Sequence, residues 1–291
     1  MTAKMVKRFT AEPVAEVGAT LGEGPRWDPR AGRLVWVDIT GRAVHLFDPE
    51  RGADAAYPVP WMVGAALPRA SGGYALAVEG GVVAWTPGAE PEPLVRLEAG
   101  ADRRANDAAC DPQGRLLMDT VPLHDAAAPA GRLYRIDPSH EATVLLDGLG
   151  LPNGLDWSPD GRTLYFTDSG TGRVDAYPYD PDAGTLGRPR PAVAPEAGIP
   201  DGHTVDAEGN LWVALWSAGE VGCFGPDGRR LATVTVPVPT VTSCGFGRAD
   251  LSTLFVTTMA HPEPGQPNAA AGTLFACAVG VPGRAPAAYA G

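Results

Sequence analysis

The stretch Ser158-Pro159-Asp160-Gly161-Arg162 followed by Thr163-Leu164-Tyr165-Phe166-Thr167-Asp168 decides the fold. Its first half is a hairpin turn, because Asp bonds its own downstream backbone and Gly accepts the left-handed conformation a tight turn needs. Its second half is rich in β-branched and aromatic residues, the composition of a strand covered on both faces. The same turn and run recur at Asp28–Arg33 followed by Leu34–Ile39, at Asp111–Arg115 followed by Leu116–Val121, and at Asp206–Asn210 followed by Leu211–Trp216. Two weaker copies are Gly73–Glu79 after Ser71-Gly72 and Ser252–Met259 after Arg248–Leu251. A further strand follows each copy, often ending at Pro, as in Ala43–Pro49, Gly81–Pro87 and Arg132–Pro138.

Copies spaced by roughly 40 to 48 residues match the period of four-stranded propeller blades. The expectation is an all-β chain, a six-bladed β-propeller forming one domain over residues 1–291. The segment Val6 to Val17 precedes the first full copy and is expected to pair with the last blade and close the ring. A β-sandwich or a pair of small barrels is the rival architecture, but neither requires one turn motif six times.

Composition narrows the function classes. The chain has 291 residues, 37 Gly and 30 Pro scattered along it, and a formal net charge of −11. Without a clustered Lys/Arg face this charge argues against a nucleic-acid partner. The N-terminus lacks a signal-peptide core, and no stretch approaches the roughly 20 apolar residues of a membrane span. The reading is therefore a cytoplasmic protein, monomeric or weakly oligomeric. Cys110, Cys223, Cys244 and Cys277 are far apart, without zinc-ligand spacing, and are expected to be buried thiols. Cys244, placed in a turn beside Ser243, is the one position kept for a reactive thiol.

Counting back equally from each hairpin turn gives one position per blade: Glu23, Val63, Asn106, Asn153, Asp201 and Ser243. In a propeller these converge at one mouth of the central channel. Gly24, Gly64, Gly154 and Gly202 follow four of them, allowing close backbone approach, whereas Asp107 follows Asn106. Converging carboxylates and amides with no Lys or Arg among the six call for a cation. An all-oxygen set favours a hard divalent ion such as calcium, magnesium or manganese, although zinc and iron are not separated from these by residue type. The plain alternative is that each Asn or Asp only caps a turn.

At the mouth, Asp38, Glu79, His124, Asp168, Trp216 and His261 are expected around the entrance, with Val121–Gly131 and Met259–Gly272 as its longest loops. His203 is expected between blades, and His45 and His140 at the surface. The sequence offers no Gly-x-Ser-x-Gly elbow, no His-Glu-x-x-His and no Cys paired with a nearby His.

Five motifs in order, Leu21–Asp28, Arg104–Arg115, Leu151–Gly170, Pro200–Leu215 and Thr242–Gly247, resemble the gluconolactonase, regucalcin and luciferin-regenerating enzyme family. The resemblance implies a six-bladed propeller with one catalytic divalent metal held by Glu23, Asn153 and Asp201. It also implies that Arg104 and Asn106 hold substrate, with Asn106 near the metal. His124 stands roughly where the family often has a substrate-touching Glu. The implied activity is opening of a sugar lactone to its acid by metal-activated water, with Asp201 favoured as the proton acceptor. A calcium-binding or scaffold propeller without turnover, and a metal-dependent phosphoester or phosphofluoridate hydrolase, are the alternatives.

Overall fold

The computed structural model describes residues 5–97, 102–124, 129–260 and 270–291. The turns of the sequence repeat owe their form to side-chain acceptors. Asp28 Oδ1 accepts from the Arg30 amide, Asp111 Oδ1 from those of Gln113 and Arg115, and Asp206 Oδ1 from those of Glu208 and Asn210. Each such turn folds two strands antiparallel, and the alternation of turn and apolar run builds six sheets around one channel.

The innermost strands are Gly22–Asp28, Val63–Pro68, Arg103–Cys110, Pro152–Trp157, Ile199–Val205 and Val241–Gly247. Burial falls outward across each blade. In the first blade every residue of Gly22–Asp28 is buried, whereas the outermost strand, Ala53–Pro58, is largely exposed. Apolar side chains between neighbouring blades form the cores, for example Trp212, Val221, Cys244, Phe246 and Phe275 between the fifth and sixth. Among the described residues no helix is long and apolar enough to cross a membrane.

Ring closure differs in part from the expectation. Glu12–Ala15 adds antiparallel to Leu274–Ala278 as the outer strand of the sixth blade, as anticipated. Lys7–Thr10 instead runs parallel to Arg230–Thr235 and extends the fifth blade. The leading segment thus bridges two blades, satisfying the exposed edge of each. A second closure was not visible in the sequence. Residues 282–290 cross the far mouth of the channel and bond the hairpin turns: the Ala207 amide donates to Pro282 O, Gly283 to Leu251 O, Ala70 to Tyr289 O and Ala290 to Gly114 O. Tyr289 is completely buried there, and its hydroxyl donates to Asp137 O at 3.0 Å.

Every innermost strand carries a bulge at the same height. Two residues oppose one, or one is skipped, between Glu23 and Arg26, Val63 and Ala65, Ala105 and Ala108, Pro152 and Leu155, Pro200 and His203, and Val241 and Ser243. A bulge bends the strand and re-aims side chains. Of the six positions counted from the turns, Asn106, Asn153 and Asp201 lie inside these bulges, and Glu23, Val63 and Ser243 flank them.

Crowding explains the glycines beside them. A Cβ on Gly64 would lie 2.7 Å from the Ala105 carbonyl carbon of the next blade, and one on Gly154 would lie 2.6 Å from the His203 amide nitrogen. Backbone cannot yield cheaply, so Gly64→Ala is expected to destabilise the fold by about 2 kcal/mol. Equilibrium urea denaturation checks this, and an unchanged midpoint would show that the blades do not rely on that approach.

Candidate metal and catalytic centre

The bulges bring Glu23, Asn106, Asn153, Asp201 and Ser243 to the channel, all buried. Glu23 Oε2 accepts from the Gly24 amide at 3.0 Å. Asn153 Nδ2 donates to Ser169 Oγ at 3.2 Å, and Ser169 Oγ donates to Pro200 O at 2.6 Å. This relay between the fourth and fifth blades fixes the amide so that Asn153 Oδ1 is left buried without a partner, as is Asp201 Oδ1. Asn106 is turned differently. Its Nδ2 donates to Pro152 O at 2.8 Å, and its Oδ1 accepts from Arg104 Nη1 at 2.7 Å.

Charge in the channel is heavily desolvated. Burial first, then the charges of Asp201 and Asp107, push Glu23 well above the ordinary carboxylate range. Burial and Asp107 do the same to Asp201. Two residues the sequence reading did not place join them. Asp119, on the second strand of the third blade, accepts the Asp107 amide at 3.0 Å through Oδ1. Arg26 Nη2 lies 3.6 Å from Asp107 Oδ1. Asp119 interrupts the buried run Leu116–Pro122, and Arg26 sits inside Gly22–Asp28. A charge inside a strand buried on both faces was the available signal.

Whether these residues suit a divalent ion can be tested on their own chemistry. Among the described residues no three His, Cys, Asp or Glu side chains converge as a ligand cluster. The candidate set is instead two carboxylates and one amide oxygen. Unpartnered, buried Asn153 Oδ1 and Asp201 Oδ1, beside a Glu23 whose charge Asp201 opposes, form a set of hard oxygen donors suited to a divalent cation. Four carboxyls, Glu23, Asp107, Asp119 and Asp201, face the two guanidiniums of Arg26 and Arg104. One divalent ion would make up the deficit. The residues fit the group.

The rim positions divide. Asp38 accepts from the amides of Thr20, Leu21 and Gly41, and Asp168 from those of Gly150, Leu151 and Gly170. Glu79 accepts from the Met62 amide. These acids clamp the chain as it enters the innermost strand, so they fix turns. Trp216 is half-buried and His124 is exposed, while His261 lies outside the described residues. His203 is completely buried between blades, its Nδ1 2.9 Å from Thr167 Oγ1, and burial pushes its pKa down to about 4.

Three expectations are corrected. His45 is buried, not superficial, because it stacks on Trp36 at 4.1 Å and its Nδ1 lies 2.6 Å from Asp54 Oδ2. His140 is half-buried beside Tyr289, with Nε2 enclosed. Cys244 lies within a strand, completely buried, and burial drives its thiol pKa upward, which removes the reactive reading.

The sequence model described as the SMP-30/Gluconolactonase/LRE-like region matches residues 21–260. The chain belongs to that family. A pentonolactonase of Haloferax volcanii is 35% identical over 286 residues, covering 95% of this chain and 97% of that protein. Regucalcin of Xenopus laevis is 36% identical over 289 residues, covering 93% of this chain and 95% of the other. Among solved structures, the calcium-binding protein regucalcin from Agrobacterium tumefaciens superposes with a TM-score of 0.90 at 28% identity, over 99% of each chain.

Within this family fold the clamp acids and the channel acids can be separated by experiment. Asp38→Ala removes an acceptor for three backbone amides and is expected to cost about 3 kcal/mol, since bonds to charged groups are the stronger kind. Divalent-cation affinity should stay within threefold. Chemical denaturation and calorimetric metal titration read the two effects, and a variant that loses cation binding at unchanged stability would place Asp38 with the channel acids.

Proposed function

We propose that this chain is a metal-dependent hydrolase that opens a sugar lactone to its acid. The observation that carries this reading is the set of buried, unpartnered oxygens from separate blades, Asn153 Oδ1 and Asp201 Oδ1 beside Glu23, at the bulge level of the channel. Glu23, Asn153 and Asp201 would hold the ion. Relatives named as lactonases support the substrate class.

When bound, a divalent cation supplies Lewis acidity toward an ester carbonyl and lowers the pKa of water. The protein's own residues do the rest. Arg104 and Asn106, joined at 2.7 Å, form a rigid donor and acceptor pair suited to the hydroxyls and carbonyl of a sugar ring. Burial excludes competing solvent from the carboxylates and strengthens every charge interaction within the site. Asp201 accepts the proton of the attacking water as the new C–O bond forms, and returns it to the ring oxygen as the lactone C–O bond breaks. His124, exposed at the end of the second strand of the third blade, stands at the entrance as a selector among sugars.

Protein nucleophiles are poorly placed for covalent catalysis. Ser243 Oγ is buried without a basic partner, and all four thiols are buried. His203, held neutral and bonded to Thr167, is committed to packing.

Purified protein should release acid from one or more members of a panel of pentonolactones and hexonolactones, and a chelator should abolish that release. Asp201→Asn is expected to lower turnover by about a thousandfold. Acid formation followed by pH-stat decides the matter: a rate indistinguishable from uncatalysed hydrolysis, or one indifferent to chelation, would overturn the proposal.

A further inference from the structure

Asp119 stands opposite a bulge, and its counterparts define what is unusual about it. In the other blades where two bulge residues face one partner residue, that partner is Trp36, Thr167 or Ala214. In the third blade Asn106 and Asp107 face Asp119. Only there is the facing side chain ionisable.

The carboxyl is completely buried. Oδ1 accepts the Asp107 amide that the bulge removes from the ladder, whereas Oδ2 has no hydrogen-bond partner. A buried carboxylate in that state is costly unless a cation compensates it. Arg26 is engaged at Asp107 and Ala108 O. Arg104 remains. It pairs across the ladder with Val121, and Asp119 lies two residues from Val121 on the same strand and so on the same face, a diagonal neighbour within reach of a long side chain. The Arg104 guanidinium feels the charge of Asp119 together with those of Glu23 and Asp201.

We propose that Asp119 is the counter-charge of Arg104, keeping that guanidinium from competing for Glu23 and Asp201 and so allowing a substrate-binding cation to stand beside a divalent ion. The inference rests on the reading of Glu23, Asn153 and Asp201 as the cation ligands. Each arginine of the channel then has its own acid, Arg26 with Asp107 and Arg104 with Asp119. Glu23 and Asp201 are left for the metal. Asp119 acts through Arg104 and is a positioning residue, not a ligand.

The test is a double-mutant cycle read by calorimetric titration with Mn²⁺, which needs no turnover. Asp119→Asn keeps an oxygen for the Asp107 amide but removes the charge. It should weaken Mn²⁺ binding about tenfold, with a melting temperature near that of the parent protein. Arg104→Met should tighten binding by about threefold or more. In the Arg104→Met background, adding Asp119→Asn should change affinity by less than about threefold, because the residue through which Asp119 acts is gone.

A tenfold loss in both backgrounds would show Asp119 acting on the ion directly, and unchanged affinity in the single variant would show it acting on neither. Either result overturns the inference while leaving the metal reading intact. If the parent protein binds no divalent ion, both fall together. Should Asp119→Asn fail to fold, Arg104→Met alone still decides, since unchanged or weaker binding contradicts competition by the guanidinium.

Discussion

Six strands must pass one axis within backbone contact of each other, and that crowding governs the rest of the molecule. Where they come closest each strand takes up one extra residue, so a regular ladder gives way to a bulge at one height around the ring. Glycine at Gly64 and Gly154 admits the neighbouring backbone, and the adjacent side chains are turned toward the channel. The fold thereby gathers residues distant in sequence without any of them belonging to a flexible loop. A site built on strands is held more tightly than one built on loops.

Charge imposes the second constraint. Glu23, Asp107, Asp119 and Asp201 are all buried, and burial raises each of them. Such groups oppose folding unless they are neutralised by protons, by guanidinium or by a metal. The Asn153–Ser169–Pro200 relay engages the amide nitrogen as a donor within the protein and leaves the carbonyl oxygen free. Asn106 does the reverse, both of its ends being committed to Arg104 and Pro152. Two chemically identical side chains at equivalent positions are therefore left in different states, one with a free buried carbonyl oxygen and one bonded at both ends.

Much of this was legible because the repeat is punctuated. Asp or Ser followed by Gly marks five of the turns by a local mechanism, the sixth reading Arg248-Ala249-Asp250-Leu251, and one residue counted from each turn finds the bulge or its neighbour. What the repeat did not carry was hidden for physical reasons. Asp119 and Arg26 lie in strands whose apolar neighbours dominate the pattern, so their charges read as exceptions to it. Residues 282–290 have no repeat register, since they satisfy hairpin turns and not a blade edge. His45 faces a neighbouring strand, where Asp54 supplies a partner that spacing alone does not reveal. The leading segment divides between two blades because two edges, not one, required covering.

Closure of the far mouth bears on how a ligand reaches the site. Beneath the bulges the channel holds a cavity of about 150 Å³, lined by Arg26, Asp156 and Thr204 and floored by Arg284–Ala287. Arg284 Nη2 bonds Asp156 Oδ1 at 3.1 Å, and Asp156 Oδ2 in turn accepts from the Val205 amide at 2.7 Å. Opening that floor would strip a partly buried ion pair of its partners and expose Tyr289, a far larger cost than moving a surface loop. Approach from the opposite mouth meets no such seal among the described residues. There Asp38, Glu79 and Asp168 hold the chain as it enters the innermost strands. The two ends of the channel are thus held by different means: residues 282–290 bond the hairpin turns across one, and at the other the clamp acids fix where the chain turns into its innermost strands.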